Sequence, residues 1–554
     1  MDKNWYRNMS VYQIWTRSFC DSNGDGIGDL PGVLSKMDYI QSLGVNGIWF
    51  SPIYPTPNAD YGYDISDYMN INPEFGTLED FKKILDEAHK RGMRVFMDLV
   101  INHTSDEHQW FKESAKSADN PYSDYYIWRK GRGKNPPNNW LSVFEGSAWE
   151  YNKDREEYYL HVFAKKQPDL NMDNPKVREE VKKILRFWLD MGVDGFREDV
   201  ITFISKAEGL PNGFPLPVAT GIEHYKHGPH LEEYLREFRE VQNEYDCFAV
   251  GEGPMTGVKD AVKYCSDGKD KLLDMLISFD HMNADCFMAD WIKTPFSLKK
   301  LKSAMSSWQN EMYGKGWNCL YIENHDHARI IDRYGDPKYR RESGKMLAAM
   351  YFLQWGTPFI YQGQEIGMGN IKLDRVEDYK DVLTFNNYRL FKKLLHFSDE
   401  KFLELASKVS RENARTPVQW NSGENAGFTT GTPWFKVNEN YKEINVEAQE
   451  NDPDSLLNFY RKLNAFRRNN DLVVYGRYKE YYHSSSDLYV YSRKRKGERL
   501  LVVCSFREKP VRFKAPKDFD LSRGEIVFSN YKDLPHEGNG FVTKPYEVRV
   551  YHFK

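Results

Sequence analysis

Gly195-Phe196-Arg197-Glu198-Asp199-Val200 is a short strand-like run that ends in charge. In an extended strand residues two apart share a face, so Arg197 and Asp199 point one way and Glu198 the other. Three more polar strings close apolar runs in the same way, namely Asp98-Leu99-Val100-Ile101-Asn102-His103, Val250-Gly251-Glu252 and Glu323-Asn324-His325-Asp326. Counting these, eight short β-branched or aromatic runs lie in the first 370 residues, at 11–19, 45–50, 94–100, 195–200, 248–252, 275–280, 319–323 and 358–362. Amphipathic stretches such as 78–88 and 177–190 separate them. Eight strands alternating with helices predict an α/β chain folded as a (β/α)8 TIM barrel. Chemistry in such barrels gathers at the C-terminal ends of the strands, where all four strings sit.

Two stretches interrupt the alternation. Residues 104–171, rich in Trp, Tyr, Asn and Pro, are too long for a simple loop and predict an inserted domain capping the barrel after its third strand. A second, polar insertion runs from 369 to about 439. From about 472 the pattern turns to alternating strands, as in Leu488-Tyr489-Val490-Tyr491-Ser492 and Leu500-Leu501-Val502-Val503-Cys504. The expected division is a barrel from 1–103 and 172–471, the inserted domain, and a C-terminal antiparallel β-sandwich over 472–554.

Composition narrows the function. The 554 residues carry a formal net charge of −4 with both signs interspersed. That gives no footprint for nucleic acid and no polybasic membrane patch. Aromatic residues make up 15%, and Tyr and Trp suit sugar faces, although an aromatic-rich core accounts for most of them. The start of the chain is polar and unlike a signal peptide, and no run nears the roughly 18 apolar residues of a membrane span. Six cysteines (Cys20, Cys247, Cys265, Cys286, Cys319, Cys504) show neither metal nor disulfide spacing. Free thiols in a cytoplasmic protein with no obligate protein partner are expected.

A pair of carboxylates poised over one bond is the minimal kit for cleaving a glycosidic linkage. A guanidinium at Arg197 favours the ionised form of Asp199, as a nucleophile needs, although a structural ion pair at a strand end has the same pattern. Glu252 follows Phe248-Ala249-Val250, and a dry pocket there would keep its proton available for donation. Asp326 could offset charge on an oxocarbenium-like transition state. His103 and His325 sit beside these strings as neutral hydrogen-bond donors to hydroxyl groups.

The four strings resemble the signature regions of glycoside hydrolase family 13, the α-amylase family. Gln167-Pro168-Asp169-Leu170-Asn171 is similar to the marker of its oligo-1,6-glucosidase subfamily, as are the stretch from Tyr361 to Met368 and Asn413-Ala414-Arg415-Thr416-Pro417. The resemblance implies a retaining, exo-acting α-glucosidase, with Asp199 as nucleophile, Glu252 as general acid/base and Asp326 as transition-state stabiliser. It implies that Asp60 and Arg415 clamp the terminal glucose, with Tyr63 beneath it. His103, Arg197, His325 and Arg329 would complete the ring, with Phe163 and Gln167 from the inserted domain. Within that subfamily Val after the nucleophile, here Val200, goes with α-1,6 cleavage; Val is also simply a good strand residue. The expected substrates are isomaltose, panose and short isomaltooligosaccharides.

Several positions depart from the family pattern, among them His327-Ala328 after Asp326, Gly253-Pro254 after Glu252, Met172-Asp173, and a charged residue at Glu198. They leave the aglycone side open, so α-1,4-glucosidase, trehalose-6-phosphate hydrolase and sucrose isomerase are rivals. Lys165-Lys166 is a basic pair of the kind a phosphate reader needs. The non-catalytic heavy subunit of amino-acid transporters shares the barrel but typically lacks the three carboxylates, and a glucan-binding protein would not need the Asp199/Glu252 pair. Asp21, Asn23, Asp25, Ile27 and Asp29 offer hard oxygens at alternating positions, and related glucosidases carry a structural Ca2+ or Mg2+ at this string; Ca2+ is expected, although an Asx/Gly turn that binds nothing has the same sequence. No organic cofactor is expected.

Overall fold

In the computed structural model of the chain, which describes residues 4–144, 146–216, 219–287, 289–468 and 470–554, all eight expected strands form. They are β1 (Val11–Ile14), β2 (Gly47–Phe50), β3 (Arg94–Leu99), β4 (Gly195–Glu198), β5 (Phe248–Gly253), β6 (Met275–Ser278), β7 (Cys319–Leu320) and β8 (Thr357–Tyr361). One parallel sheet runs β7-β8-β1-β2-β3-β4-β5-β6. Its two end strands approach each other, where the Tyr321 hydroxyl donates to the Ser278 carbonyl at 2.8 Å and closes the barrel. Residues 1–3 of the expected barrel segment lie outside the described residues.

Several strands are shorter than expected at their C-terminal ends. The run at 11–19 stops at Ile14 because the Trp15 amide turns to the side chain of Gln362 at 2.8 Å, and Thr16–Ser18 coil into a 3-10 turn. Strand pairing gives way there to side-chain bonds that shape the mouth. Gly195 fixes the approach of β4 to β5, since a Cβ there would stand 2.3 Å from the Phe248 carbonyl oxygen. The expected helices form at Leu78–Lys90 and Pro175–Met191. The first opens with a Thr77/Asp80 capping box and buries Phe81, Ile84, Leu85 and Ala88 on one stripe.

Residues after β3 form a short helix, Gln109–Ser114, and a three-stranded antiparallel sheet of Trp128–Arg129, Glu157–Leu160 and Trp149–Asn152. Trp140, Trp149, Leu160 and Val162 share an apolar cluster with Val200, Phe203 and Tyr225, which follow β4. That shared cluster seats the insertion on the C-terminal mouth. The stretch after β8 was expected to be polar and has an apolar core of its own. Helices Val382–Leu395 and Asp399–Val409 pack Phe391, Phe402 and Ala406 against Trp291, Ile371 and Phe435.

At the C-terminus, strands Arg477–Tyr481, Leu488–Arg495, Glu498–Ser505, Val548–Phe553 and Glu525–Ser529 form an antiparallel sheet in that order. Period-two alternation sends Leu488, Val490, Leu501 and Val503 towards Phe513 and Phe541 of a two-stranded sheet. Tyr489, Tyr491, Val502 and Cys504 face the barrel core instead. Among the described residues no helix is long and apolar enough to cross a membrane. All six cysteines are free, and five are buried.

Candidate active site

Arg197 organises the mouth. Its guanidinium donates to Asp98 of β3 at 2.7 Å and to Asp199 at 2.5 Å, and meets Glu252 of β5 at 2.9 Å. The rings of Trp49 and Tyr63 lie against it. Glu198 points away, as the strand alternation requires, and accepts from the Gln242 amide at 2.7 Å.

One positive charge among three buried carboxylates leaves negative charge in excess, which favours the protonated forms of Asp98 and Asp199. Burial pushes Asp98 up to about 6 against the pull of Arg197. Burial also raises Asp199 well above its ordinary value; Arg197 opposes the rise, while the charges of Glu252 and Asp98 add to it. Arg197 favours the ionised form of Asp199, as expected, but its guanidinium is divided among three partners and burial outweighs it. Glu252 is buried, yet one oxygen meets Arg197 and the other accepts from the Val200 amide at 3.0 Å.

That amide points at Glu252 because the backbone turns sharply. β4 ends at Glu198, and Val200 adopts φ 35° and ψ 39° at the start of a 3-10 turn. A β-branched residue in the left-handed region is a strained exception, costing on the order of 1–3 kcal/mol. Strand propensity therefore does not account for valine here, since the residue is outside the strand.

Asp326 faces the same space. His325 meets it at 3.0 Å, Arg415 donates at 3.2 Å and Arg411 at 3.4 Å. Burial opposes its ionisation, but His325 and the two guanidinium groups outweigh it and hold the carboxyl well below the usual range. Burial pushes His325 down to about 4, so near neutral pH the imidazole is uncharged and the arginines supply the charge. The Gln13 amide donates to His325 Nδ1 at 2.7 Å, which leaves the hydrogen on Nε2, facing Asp326 and the Tyr63 hydroxyl. Tyr63 and Trp15 stack on the two faces of the ring, both with centroids 5.3 Å away. Burial likewise pushes His103 down to about 4.

Asp60 accepts from Gln167 at 3.0 Å and from Arg411 at 2.9 Å. Arg415, expected to clamp the same glucose, is bonded to Asp381 at 2.8 Å, and Asp381 also takes two bonds from Arg411. Arg411 and Asp381 are thus part of the site although sequence reasoning passes over them. The neighbouring Asn413–Pro417 string held the signal, with Arg411 one helical turn before Arg415.

A cavity of about 990 Å3 opens at this mouth. Asp60, Tyr63, His103, Phe163, Asp199, Val200, Glu252, Asp326 and Arg411 line it. Arg197, Gln167, His325 and Arg415 stand behind that lining, bonded to its carboxylates. Arg329 is not brought to the cavity. It is fully buried, bonded to Glu323 at 2.5 Å and to the carbonyls of Gln362 and Ala414, and it ties the ends of β7 and β8 together. Lys165 and Lys166 pair with Glu150 and Asp106, away from the lining.

In the 21–29 loop the side-chain oxygens expected to take Ca2+ already accept hydrogen bonds. Asp21 receives the amides of Asn23, Gly24 and Gly26 together with the Thr429 hydroxyl, and Asp29 receives Ser22 and Gly32. Asn23 and Asp25 each accept a backbone amide two residues on. Among the described residues no group of three or more His, Cys, Asp or Glu stands together as a metal-holding cluster.

Carboxylates flanking one space at the C-terminal mouth of a parallel barrel define a glycoside hydrolase. The chain belongs to the alpha-amylase family, whose catalytic-domain model matches residues 13–476. It is 49% identical to an oligo-1,6-glucosidase of Parageobacillus thermoglucosidasius, with 100% of this chain and 99% of that one covered. It is 43% identical to the trehalose-6-phosphate hydrolase of Bacillus subtilis (strain 168), with 99% and 98% covered. Among solved structures, the trehalose-6-phosphate hydrolase of Bacillus licheniformis superposes with a TM-score of 0.93 at 45% identity, over 99% of each chain. The isomaltulose synthase of Erwinia rhapontici NX5 gives 0.95 at 39%, also over 99% of each.

Proposed function

We propose that the chain is a retaining, exo-acting α-glucosidase that hydrolyses α-1,6-glucosidic bonds at the non-reducing end of isomaltose, panose and short isomaltooligosaccharides. The observation that carries the reading is the single guanidinium bridging Asp199 and Glu252 in one cavity, with Val200 on its wall. The oligo-1,6-glucosidase relatives support the linkage. Asp60 and Arg411 at one end of the cavity, with Gln167 and Arg415 behind them, bind the hydroxyls of one terminal glucose. Tyr63 lies beneath its ring, and His103 and Phe163 flank it.

Asp199 forms a bond to C1 as the C1–O bond breaks, and Glu252 as general acid gives a proton to the leaving oxygen. Water then gives a proton back to Glu252 and attacks C1, the glucosyl ester breaks, and the α-configuration is retained. Asp326, ionised beside two arginines, offsets positive charge developing at the ring.

The test is initial rates of glucose release from isomaltose, maltose, sucrose and trehalose-6-phosphate, side by side. Isomaltose is expected to lead by roughly tenfold or more, about 1.4 kcal/mol of discrimination. A lead for maltose or for the phosphorylated sugar would refute the linkage reading. Trehalose-6-phosphate is the second reading because Lys293, Lys401 and Lys408 line the cavity. Lys293 is bonded to Asp285 and Lys408 to Glu404, so little cationic charge is left for a phosphate.

We propose further that the 21–29 loop takes a structural Ca2+ away from the chemistry, with Asp21 exchanging amide bonds for the ion. Added Ca2+ is then expected to raise Tm and a chelator to lower it; no response to either identifies an amide-closed turn. The six free thiols support a cytoplasmic location. No obligate protein partner is proposed.

A further inference from the structure

The cavity that holds the three carboxylates continues along the helices Val382–Leu395 and Asp399–Val409. Its far wall is made of Ile292, Leu383, Leu390, Leu394, Leu395 and Leu405. Leu394 is 61% exposed, Leu395 56% and Ile292 40%, which places adjacent large aliphatic side chains in water on the wall of the cavity that also holds the carboxylates. Contiguous exposed apolar surface of this kind marks a binding groove.

The polar groups on this wall are few, namely Asn387, Lys401, Glu404 and Lys408. The Asn387 amide donates to the Leu383 carbonyl at 2.9 Å, Lys408 pairs with Glu404 at 2.8 Å, and Lys401 sits 4.0 Å over the Phe397 ring. A sugar in an extended subsite needs hydrogen-bond partners for its hydroxyls, and this surface offers few. Its chemistry suits a saturated chain.

We propose that the aglycone side of the cavity binds a long aliphatic group, so that kcat/KM for alkyl α-glucosides rises with the length of the chain. This rests on the α-glucosidase reading of the carboxylates and extends it to the leaving group. The reaction is the same: the C1–O bond breaks, the alkoxide oxygen takes the proton from Glu252, and water replaces the alcohol at C1. The walls differ only in what they desolvate. A fully buried methylene is worth about fourfold in kcat/KM, so a chain that lies partly on this wall gains roughly tenfold or more over its length.

The experiment compares kcat/KM for methyl, butyl and octyl α-D-glucopyranoside, with isomaltose as control, in the parent protein and in the Leu394→Gln/Leu395→Gln variant. The parent is expected to favour octyl over methyl glucoside by at least about tenfold, and the variant to lose most of that ratio. A flat dependence on chain length, or a steep one that the variant preserves, overturns the proposal. Absence of hydrolysis of every glucoside, isomaltose included, would instead refute the α-glucosidase reading beneath it. Sedimentation of both proteins over a range of concentrations covers the remaining occupant. A dimer that the variant dissociates would assign the leucines to a second copy of the chain and also overturn the proposal.

Discussion

Val200 carries the sharpest local contradiction between residue type and backbone. Its left-handed φ brings its amide to Glu252 and its side chain to the cavity, and a β-branched residue is crowded in that conformation. Alanine is less crowded there and withdraws two methyl groups from the wall. Val200→Ala is expected to raise maltose hydrolysis relative to isomaltose by roughly tenfold, the scale of small changes in an apolar pocket, without lowering Tm. An unchanged ratio would assign linkage choice to other residues. Glu198, on the opposite face of β4, tests burial. Its carboxyl is pushed up to about 7 by desolvation, with one oxygen bonded to Gln242 and the other without a hydrogen-bond partner. The folded value lies above the unfolded one of about 4.3, so the native state keeps a proton that the unfolded chain releases. This contribution is whole below about pH 4 and is lost as pH rises through 7, a change on the order of 3 kcal/mol. Glu198→Gln is expected to gain stability over the parent at about pH 8 and little at about pH 4, read by denaturant unfolding; an equal gain at both would sink this account.

At the scale of elements, Asp381 couples a helix to the pocket. Its side chain caps the amide of Leu383 at the start of Val382–Leu395 and also bonds Arg411 and Arg415. Asp381→Asn keeps the cap and removes the charge between two buried guanidinium groups. Breaking buried pairs of this kind costs about 3–5 kcal/mol, so Tm falls. KM for isomaltose is expected to rise roughly tenfold or more, with kcat changing less, because Arg411 also holds Asp60. A changed Tm with unchanged KM would make the cluster structural only. The eight strands were legible because each is a short apolar run set apart by amphipathic stretches, and four of them end in a polar string. Their ends were not, since bonds such as Trp15 to Gln362 replace the ladder there. Asp199, Glu252 and Asp326 were legible as local strings, whereas Arg411 and Asp60 stand 351 positions apart and no spacing signals their meeting. The helix at Val382–Leu395 was hidden by the Asn, Lys and Arg interleaved with its apolar stripe.

In the whole molecule, the C-terminal sheet is docked on the barrel through buried polar contacts as well as its apolar face. Lys302, on the barrel helix Leu298–Glu311, donates to the carbonyls of Tyr482, Ser485 and Leu488 at 2.7, 2.8 and 3.2 Å. Lys302→Met strands these carbonyls and is expected to cost about 2–4 kcal/mol of stability while leaving kcat/KM for isomaltose near the parent value. A variant as stable as the parent would show that the apolar face alone holds the sheet. Everything proposed of the mouth depends on one division of labour, in which Asp199 forms a bond to sugar and Glu252 moves the proton. Rapid acid quench during turnover of a slow fluorinated α-glucosyl substrate, followed by peptide mass analysis, tests it directly. One sugar residue is expected on the peptide that carries Asp199, bound at the Asp199 carboxyl. A sugar on Glu252 or Asp326, or active turnover with no adduct anywhere and an inverted product, would contradict it.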